Sequence, residues 1–269
     1  MTDKYAVIGN PIGHSKSPFI HQEFAKQVGH NICYSAELIP LDGLENGLRT
    51  LQEGGVKGLN ITIPFKEKVW QGLADKSERA TLAGAVNTLV FNPDGSRYGD
   101  NTDGAGLCQD LTLNHGITLA GKRILLLGAG GAARGVIHPL LGYNPAELVI
   151  ANRTVSKAHD LVYLFANEVL SASAFEKVSG PFDLIINATS ASLQGQTPPI
   201  PMETISKQTY CYDMMYGDTD TAFIQWAKTL QAAKTIDGLG MLIEQAAESF
   251  NLWRDIKPDT QPIIDLLRQ

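Results

Sequence analysis

One stretch, residues 122–134, constrains the fold of this chain more than any other. An apolar run at 124–127 leads into Gly128, Gly130 and Ala133, which follow the spacing G-x-G-x-x-A, and an apolar helical pattern comes next. A strand, a glycine turn and a helix in this order open a dinucleotide-binding βαβ unit. Gly128 permits the tight turn, Gly130 lets the backbone approach a pyrophosphate, and Ala133 lets helix and strand pack closely. The helix N-terminus then offers free N–H groups to phosphates.

The same string also occurs at tight βα turns that bind no ligand, so its surroundings decide its meaning. A length of 269 residues suits one large domain or two modest ones, and 43% hydrophobic and 19% charged residues are typical of soluble globular proteins. The formal net charge is −6, so no basic excess is available to neutralise nucleic-acid or membrane phosphates. We expect a small-molecule partner, with no nucleic acid and no membrane.

Cysteine and histidine usage indicates the compartment and excludes some chemistry. Cys33, Cys108 and Cys211 form no C-x-x-C pair, which is typical of free thiols in a reduced compartment. No basic segment followed by a long apolar one is found at the start, and no apolar run reaches the ~18 residues of a membrane span. We expect a cytoplasmic protein. The six histidines lack H-x-H or H-E-x-x-H spacing, so no metal site is predicted.

The first third of the chain alternates strands with helices, a pattern that predicts a parallel α/β sheet. Strands are predicted at 5–8, 32–39 and 56–63, with helices at 17–28 and 44–51. Ser17 before Pro18 predicts an N-cap and a first helical residue. Ligands in such sheets lie beyond the carboxyl ends of the strands, so the segments after the first and third strands can converge on one crevice.

Several polar residues in these segments have two possible roles. Ser15 and Ser17 serve either in turn and cap chemistry or in binding a small anionic group at a helix N-terminus. Lys66 follows the third strand as a solvated charge or as part of a site. A hairpin with its turn at 92–95 leads to Asp103, which is either a turn aspartate or a functional one.

Four motifs in this region resemble those of the shikimate dehydrogenases, a family of aromatic amino-acid biosynthesis, and the glycine turn is a fifth. They are Gly9-Asn-Pro-Ile-x-His-Ser-x-Ser-Pro18, Asn60-Ile-Thr-Ile-Pro-Phe-Lys66, Gly84-Ala-Val-Asn-Thr88 and Gly99-x-Asn-Thr-Asp-Gly104. The resemblance implies two α/β domains with a cleft between them. A discontinuous substrate-binding and catalytic domain would cover 1–103 plus 239–269, and a Rossmann-type NADP-binding domain 104–238.

The resemblance also implies reversible hydride transfer between NADPH and 3-dehydroshikimate, giving shikimate. Lys66 is then the predicted acid/base and Asp103 its carboxylate partner, which also contacts substrate. Ser15 and Ser17 would bind the substrate carboxylate. The ring hydroxyls would be bound by Thr62, Asn87, Tyr216 and Gln245. By pattern alone, Gln245 is an exposed helical glutamine.

The choice of cofactor depends on the end of the strand predicted at 147–151. An NAD enzyme usually carries an acidic residue there, whereas an arginine suits the 2′-phosphate of NADP. The chain has Arg153, with Lys157 one helical turn later, which favours NADP. Met214 is by pattern a core residue or a ligand contact. Together with what the resemblance implies, the full set of predicted cofactor residues is Glu78, Gly128, Ala129, Gly130, Gly131, Ala132, Asn152, Arg153, Thr154, Lys157, Thr189, Met214, Gly238 and Met241.

The rest of the chain continues the alternation of strand and helix. Strands are predicted at 182–187, 210–214 and 235–237, and helices at 158–165, 223–230 and 239–253. A terminal helix is predicted after Thr260, which would cap it. One stretch departs from the family pattern: where Gly-Leu or Gly-Met steps are common, this chain has Ala191-Ser192-Leu193-Gln194.

Two other functions stay open, and the chain is predicted to be a monomer or homodimer. One is a dehydrogenase that also accepts quinate or NAD. The other is a catalytically silent NADP-binding sensor, which should lack the Lys66–Asp103 pair.

Overall fold

The computed structural model describes residues 2–268, apart from the side chain of Leu193. The chain divides into two compact units, Met1–Gly106 with Leu242–Gln269 (the first unit) and Leu107–Met241 (the second unit). Met1 and Gln269, the ends of the predicted substrate domain, lie outside the described residues. The predicted two-domain α/β fold is confirmed, whereas the cleft between the domains and their division of labour stay predictions.

The first unit contains a six-stranded sheet of mixed direction. Its strands are β1 (Asp3–Gly9), β2 (Ile32–Leu38), β3 (Val56–Ile61), β4 (Asp75–Lys76), β5 (Thr88–Phe91) and β6 (Arg97–Asp100). Their order is β2-β1-β3-β5-β6-β4. β1 pairs in parallel with β2 and β3, as the alternating pattern predicts, while β5 pairs antiparallel with β3 and β6. The carboxyl ends of β1 and β3 lie side by side, since Thr62 N donates to Ile8 O at 3.0 Å.

The second unit contains a six-stranded parallel sheet. Its strands are β7 (Arg123–Leu127), β8 (Glu147–Ala151), β9 (Leu170–Ser173), β10 (Leu184–Asn187), β11 (Tyr210–Asp213) and β12 (Lys234–Ile236). Their order, β12-β11-β10-β7-β8-β9, is that of a doubly wound Rossmann sheet. The order reverses between β7 and β10. Such a reversal leaves a crevice beyond the strand ends, where nucleotides bind in this fold.

Ten α-helices connect and cover these strands in the described chain. They are α1 (Ser17–Gln27), α2 (Leu44–Glu53), α3 (Lys66–Gly72), α4 (Glu78–Ala83), α5 (Asp103–Gln109), α6 (Gly131–Leu141), α7 (Val155–Phe165), α8 (Ala222–Thr229), α9 (Leu239–Arg254) and α10 (Gln261–Leu267). A π-helical turn, Asp110–Asn114, continues α5.

Burial on both faces explains the unbroken apolar run of β7. Ile124 and Leu126 pack into one hydrophobic cluster and Leu125 and Leu127 into another, and all four are fully buried. Successive side chains of a strand point to opposite faces, so a strand covered on both sides must be apolar at every position. This is why the run shows no alternation with polar residues.

The first unit depends on a close approach between α9 and the sheet. A Cβ on Gly58 in β3 would lie 2.3 Å from the indole nitrogen of Trp253. Because Gly58 has no side chain, Trp253 has room to donate from Nε1 to Leu89 O at 3.1 Å. Its ring also stacks on that of Tyr5, with the ring centroids 4.8 Å apart. The packing fixes the face that α9 turns toward the sheet, and Gln245 is on the same helix.

Three sequence predictions about local structure are wrong. Ser17 is not the N-cap: Lys16 occupies that position, and the Ser17 N–H donates to Ser15 Oγ at 3.3 Å. The third strand ends at Ile61 because Thr62 to Phe65 form a turn closed by a 3.0 Å backbone hydrogen bond. Thr260 precedes α10, but its hydroxyl donates to Glu244 at 2.5 Å instead of capping the helix.

Candidate active site

Lys66 and Asp103 meet in the first unit. Lys66 begins α3 directly after the turn that follows β3, and Asp103 begins α5 after the loop that follows β6. Although 37 positions separate them, Lys66 Nζ lies 2.6 Å from Asp103 Oδ2. Their side chains are 30% and 18% exposed, so the pair is reachable by a ligand. An ammonium and a carboxylate in contact can bind a hydroxyl or carbonyl oxygen and move a proton to or from it.

Asn87 holds the other oxygen of the carboxylate. Its Nδ2 donates to Asp103 Oδ1 at 2.8 Å. Its Oδ1 accepts from the backbone N–H of Thr102 at 2.9 Å, and that group can only donate. The orientation of the amide is therefore set by its surroundings, and the NH2 group must face Asp103. Asn87 is 2% exposed, so this side of the pair is shielded from water.

Gln245 joins this group from α9. Its Oε1 lies 3.3 Å from Asn87 Nδ2, and its Nε2 donates to Leu242 O at 2.8 Å. A Cβ on Gly106 would lie 2.6 Å from Gln245 N, so the glycine is what lets α5 and α9 approach there. Gln245 is 9% exposed, which excludes the alternative of a solvated surface glutamine.

A second layer of polar residues, none of them proposed as site residues from the sequence, supports Asn87 from below. Asn60 Nδ2 donates to Ser249 Oγ at 3.0 Å, and Ser249 Oγ lies 2.7 Å from Thr88 Oγ1. Thr88 Oγ1 in turn donates to Asn87 Oδ1 at 2.8 Å. One signal for this layer was available: Ser249 lies four residues after Gln245, on the same helix face.

A buried histidine and a tyrosine close that layer. His21 Nε2 lies 3.1 Å from Asn60 Oδ1, and the Tyr34 hydroxyl donates to the same oxygen at 2.7 Å. Burial lowers the pKa of His21 to about 3, so the ring is neutral and donates from Nε2. Asn60 is thereby held with its NH2 group facing Thr88 and Ser249.

Ser15, Ser17 and Thr62 lie at the carboxyl ends of β1 and β3 or at the start of α1. Ser15 performs turn chemistry, since its Oγ accepts the Ser17 N–H. Ser17 is 7% exposed. Thr62 follows β3, and its methyl group packs where a Cβ on Gly9 would come within 2.5 Å. Binding of an anionic group by these hydroxyls stays a prediction.

The glycine turn of the second unit leaves its backbone open to a ligand. Gly128 has φ of +108°, and a Cβ there would lie 3.2 Å from the Thr189 methyl group. Gly130 faces open space, since a Cβ there would meet nothing within 4 Å. α6 begins at Gly131 with no side-chain cap, and Ala129 and Ala132 flank these positions. Its first N–H groups and its positive end are therefore left for an anion.

The residues after β8 fit a phosphate on the ribose. Arg153 and Lys157 are exposed, and no acidic residue stands at the end of the strand. Asn152 Nδ2 donates to Thr154 O at 2.9 Å, which holds the turn into α7. An exposed guanidinium and a nearby ammonium suit a dianionic phosphate and would leave an unmodified ribose hydroxyl without its usual acceptor.

Thr189, Met214 and Gly238 gather at the carboxyl ends of β10, β11 and β12. Gly238 N donates to Met215 O at 3.0 Å, and a Cβ on Gly238 would lie 2.2 Å from Met214 O. Met214 and Met241 are each 8% exposed and pack in the core of this unit. Both interpretations of Met214, core residue and ligand contact, are compatible with this position.

Comparisons with known proteins show the family of this chain. Residues 7–89 match the shikimate dehydrogenase substrate binding domain, 110–208 the shikimate / quinate 5-dehydrogenase family, and 238–268 the shikimate 5'-dehydrogenase C-terminal domain. The chain is 55% identical to the shikimate dehydrogenase (NADP(+)) of Hahella chejuensis over 268 residues, covering 99% of each protein. The chain belongs to the shikimate dehydrogenase family.

Solved structures extend the likeness to the whole fold. An Ael1 enzyme from Pseudomonas putida superposes with a TM-score of 0.96 at 43% identity, covering 100% of this chain and 99% of that one. The shikimate 5-dehydrogenase of Thermus thermophilus, solved in complex with NADP(H) and shikimate, gives a TM-score of 0.89 at 32% identity, covering 99% of each. The family assignment thus holds for sequence and for fold.

Two further residues implied by the shikimate dehydrogenase resemblance lie in different units. Glu78 is exposed at the start of α4 in the first unit, and Tyr216, 36% exposed, lies in the second unit. Glu78 is predicted to contact the cofactor, whose other predicted contacts lie in the second unit. Tyr216 is predicted to contact the substrate, whose other predicted contacts lie in the first unit. Both contacts stay predictions.

Two of the three cysteine thiols are buried in this member of the shikimate dehydrogenase family. Burial raises the pKa of the Cys108 and Cys211 thiols to about 12, so both stay protonated. Within residues 2–268, no group of three or more His, Cys, Asp or Glu side chains could hold a metal ion. The helices of that range include none long and apolar enough to cross a membrane.

Proposed function

We propose that this protein catalyses the reversible NADPH-linked reduction of 3-dehydroshikimate to shikimate. The observation that carries the proposal is the 2.6 Å contact between Lys66 and Asp103, with Asn87 on the second carboxylate oxygen. The catalytically silent sensor considered above should lack this pair. The relatives of this protein support the choice of shikimate as substrate, since the Hahella chejuensis protein is named a shikimate dehydrogenase (NADP(+)).

Lys66 acts as the general acid in the reduction. Its ammonium hydrogen-bonds the carbonyl oxygen of the substrate and donates a proton as that oxygen becomes a hydroxyl. In the oxidation the same nitrogen accepts the hydroxyl proton. Asp103 keeps the ammonium in place and accepts a hydrogen bond from a neighbouring ring hydroxyl. When bound, the nicotinamide ring supplies or accepts the hydride.

The cofactor is NADP(H). The glycine turn and the start of α6 would hold the pyrophosphate, and Arg153 with Lys157 would hold the 2′-phosphate. Support comes from the structure of the Thermus thermophilus relative with NADP(H) and from the exposed cationic pair after β8. Glu78, Thr189, Met214, Gly238 and Met241 complete the proposed cofactor contacts.

Substrate recognition is assigned to hydroxyl and amide side chains. Ser15 and Ser17 would bind the carboxylate at the start of α1. The ring hydroxyls would be bound by Thr62, Asn87, Asp103, Tyr216 and Gln245. Three of these residues from the first unit, Asn87, Asp103 and Gln245, already form one hydrogen-bonded set, which supports a shared ligand.

The test is a spectrophotometric assay of NADP⁺ reduction by the purified protein with shikimate. We expect turnover with shikimate and NADP⁺ and at least tenfold lower kcat/KM with NAD⁺, equivalent to about 1.4 kcal/mol. Absence of shikimate-dependent reduction would contradict the proposal. Because one matched family is described for shikimate and quinate, quinate is assayed in parallel. Comparable kcat/KM for both acids would identify a dual-substrate enzyme.

Compartment and assembly belong to the same proposal. The three free cysteines support a reducing compartment, and we propose the cytoplasm. A monomer or homodimer is expected, which sedimentation of the purified protein would distinguish.

A further inference from the structure

A buried carboxylate at the end of β11, Asp213, has no part in the proposed chemistry. It is fully buried, and its partners are neutral donors. Ser192 Oγ and Thr221 Oγ1 each donate to Oδ2 at 2.6 Å. Asn187 Nδ2 and Met215 N each donate to Oδ1 at 3.1 Å. Four hydrogen bonds satisfy both oxygens, as a carboxylate removed from water requires.

Three of these four partners come from other segments of the chain. Asn187 ends β10, Ser192 lies in the 3₁₀ turn Ala191–Gln194, and Thr221 is the N-cap of α8. The turn is the stretch whose sequence departs from the family pattern. The Ser192 hydroxyl in this turn donates to Asp213, so the turn is held in place although its sequence differs from the family pattern.

Through Asn187 the carboxylate fixes a residue beside the glycine turn. A carboxylate only accepts, so the NH2 group of Asn187 must face Asp213 and its Oδ1 must face away. That Oδ1 accepts from Thr189 N at 3.1 Å and from Thr189 Oγ1 at 2.7 Å. The Thr189 methyl group then lies against Gly128, 3.2 Å from where a Cβ would be. Asp213 therefore sets the orientation of the Asn187 amide, and the amide sets the position of Thr189 against the glycine turn.

Through its other bonds the carboxylate fixes the segment that carries Tyr216. Met215 N and Thr221 Oγ1 bracket this segment at its two ends, and both donate to Asp213. A hollow of about 350 Å³ lies beside it, lined by residues that include Ser192, Met215, Tyr216 and Thr221. One side chain therefore determines where both flanks of this hollow lie.

We propose that Asp213 is a positioning residue that holds Thr189 at the cofactor and Tyr216 at the substrate in one fixed arrangement. It contacts neither ligand and acts through Asn187, Ser192 and Thr221. The proposal rests on the proposed function, because that function gives Thr189 and Tyr216 their ligands.

The role is geometric, which makes the effects of two substitutions differ. In Asp213→Asn, the remaining oxygen can keep facing the two N–H donors while the new NH2 group faces Ser192 and Thr221. Both hydroxyls can turn and accept. In Asp213→Ala all four donors lose their acceptor. We expect the Kd for NADP⁺ and the KM for shikimate to rise about tenfold in Asp213→Ala and less than about threefold in Asp213→Asn.

Two further variants separate positioning from stability. Ser192→Ala removes one tether from a partly exposed loop and should raise the NADP⁺ Kd about threefold with an unchanged Tm. Thr209→Val is the matched control, since Thr209 is fully buried just before the start of β11 and donates to Phe182 O at 2.7 Å. It should lower the Tm and leave the Kd and KM unchanged.

The experiment measures the NADP⁺ Kd by calorimetry, steady-state kinetics with shikimate, and Tm for the four variants and the wild type. The proposal is overturned if Asp213→Ala and Thr209→Val change the Kd equally, or if Asp213→Asn is as damaging as Asp213→Ala. If Asp213→Ala does not fold, Ser192→Ala decides, and an unchanged Kd there overturns the proposal. Wild-type protein that binds NADP⁺ without oxidising shikimate would contradict the proposed function, while the Kd series would still test Asp213.

Discussion

The polar clusters of the two units are built on different principles. In the first unit, Lys66 and Asp103 are opposite charges in contact, each partly exposed. In the second, Asp213 is fully buried and is satisfied by hydroxyl, amide and backbone donors, while the glycine turn presents its backbone to the surface. In the first unit, a pair of accessible charged side chains is available for proton transfer. In the second, exposed backbone at the glycine turn is available for binding a ligand.

The difference predicts which kinetic constant each unit controls. A side chain that moves a proton acts in the transition state, so its removal lowers kcat. A backbone cradle binds the cofactor in ground and transition states alike, so its disturbance raises Kd or KM. Four substitutions test this division.

The largest effect is expected from Lys66→Ala. Loss of the proton donor should lower kcat about 10²–10⁴-fold and leave shikimate binding nearly intact. Lys68→Ala is the matched control, because Lys68 lies on the same helix and its ammonium is exposed. Steady-state kinetics and equilibrium binding of shikimate measure both quantities. A kcat within a few-fold of wild type would remove Lys66 from the chemistry.

Gly130→Ala should weaken NADP⁺ binding without affecting the fold. The new methyl group meets open space in the protein, and the residue has φ of −88°, so the Tm should not change. Only a ligand close to the backbone would be displaced, at a cost of about 1.5–3 kcal/mol per hydrogen bond to a charged group, which raises Kd about 10–150-fold.

Gly128→Ala provides the contrast. At φ of +108° a side chain is strained, and the Cβ would press on Thr189. This variant should have both a lower Tm and a weaker affinity for NADP⁺. If Gly130→Ala binds NADP⁺ like the wild type, the pyrophosphate does not lie over the turn.

Arg153→Ala should raise the Kd for NADP⁺ about tenfold and leave the Kd for NAD⁺ unchanged, because only NADP⁺ carries the 2′-phosphate. Lys207→Ala, an exposed cation in the same unit, controls for the loss of one positive charge. Calorimetric titrations with both nucleotides decide. Equal losses for the two would contradict the assignment of Arg153 to the phosphate.

The smallest effect concerns stability in the first unit. The pKa of His21 falls from 6.5 to about 3 on burial. Between these values the unfolded chain binds a proton that the folded chain does not, so stability decreases as pH falls. The decrease due to His21 should be about 1 kcal/mol between pH 6 and pH 5.

Urea unfolding of the wild type and of His21→Gln at both pH values measures this difference. The variant should lose less stability on acidification than the wild type. His159→Gln, at an exposed position, should behave like the wild type. Equal pH dependence in all three proteins would mean that His21 binds a proton as readily in the folded protein as in the unfolded chain.

Much of the fold followed from local patterns, and the exceptions are instructive. The strand at 147–151 has the predicted bounds because its apolar run is bounded on both sides by polar residues. β9 was not predicted, since Leu170–Ser173 is short and largely polar and forms only as an edge strand beside β8. The Ser17 N-cap was wrong because the helix begins one position earlier than predicted: Lys16 is the N-cap and Ser17 is already the first helical residue.

The sequence by itself determined the order of elements, the glycine turn, the cationic residue at the end of β8 and the family motifs. These are local properties, readable from apolar periodicity and from the few residues that a turn or a phosphate tolerates. Lys66, Asp103, Asn87 and Gln245 could be proposed as one site because the motifs of a family carry them together.

Only the tertiary structure decided which groups share hydrogen bonds. The support of Asn87 by Asn60 and Ser249 joins positions up to 189 residues apart, and the partners of Asp213 come from three segments. A hydrogen bond requires a donor–acceptor distance correct to a few tenths of an ångström and a suitable angle. For residues far apart in the sequence, only the packing of their segments sets that distance and angle. A polar residue at the end of an apolar strand therefore indicates that a partner exists, and the fold determines which one.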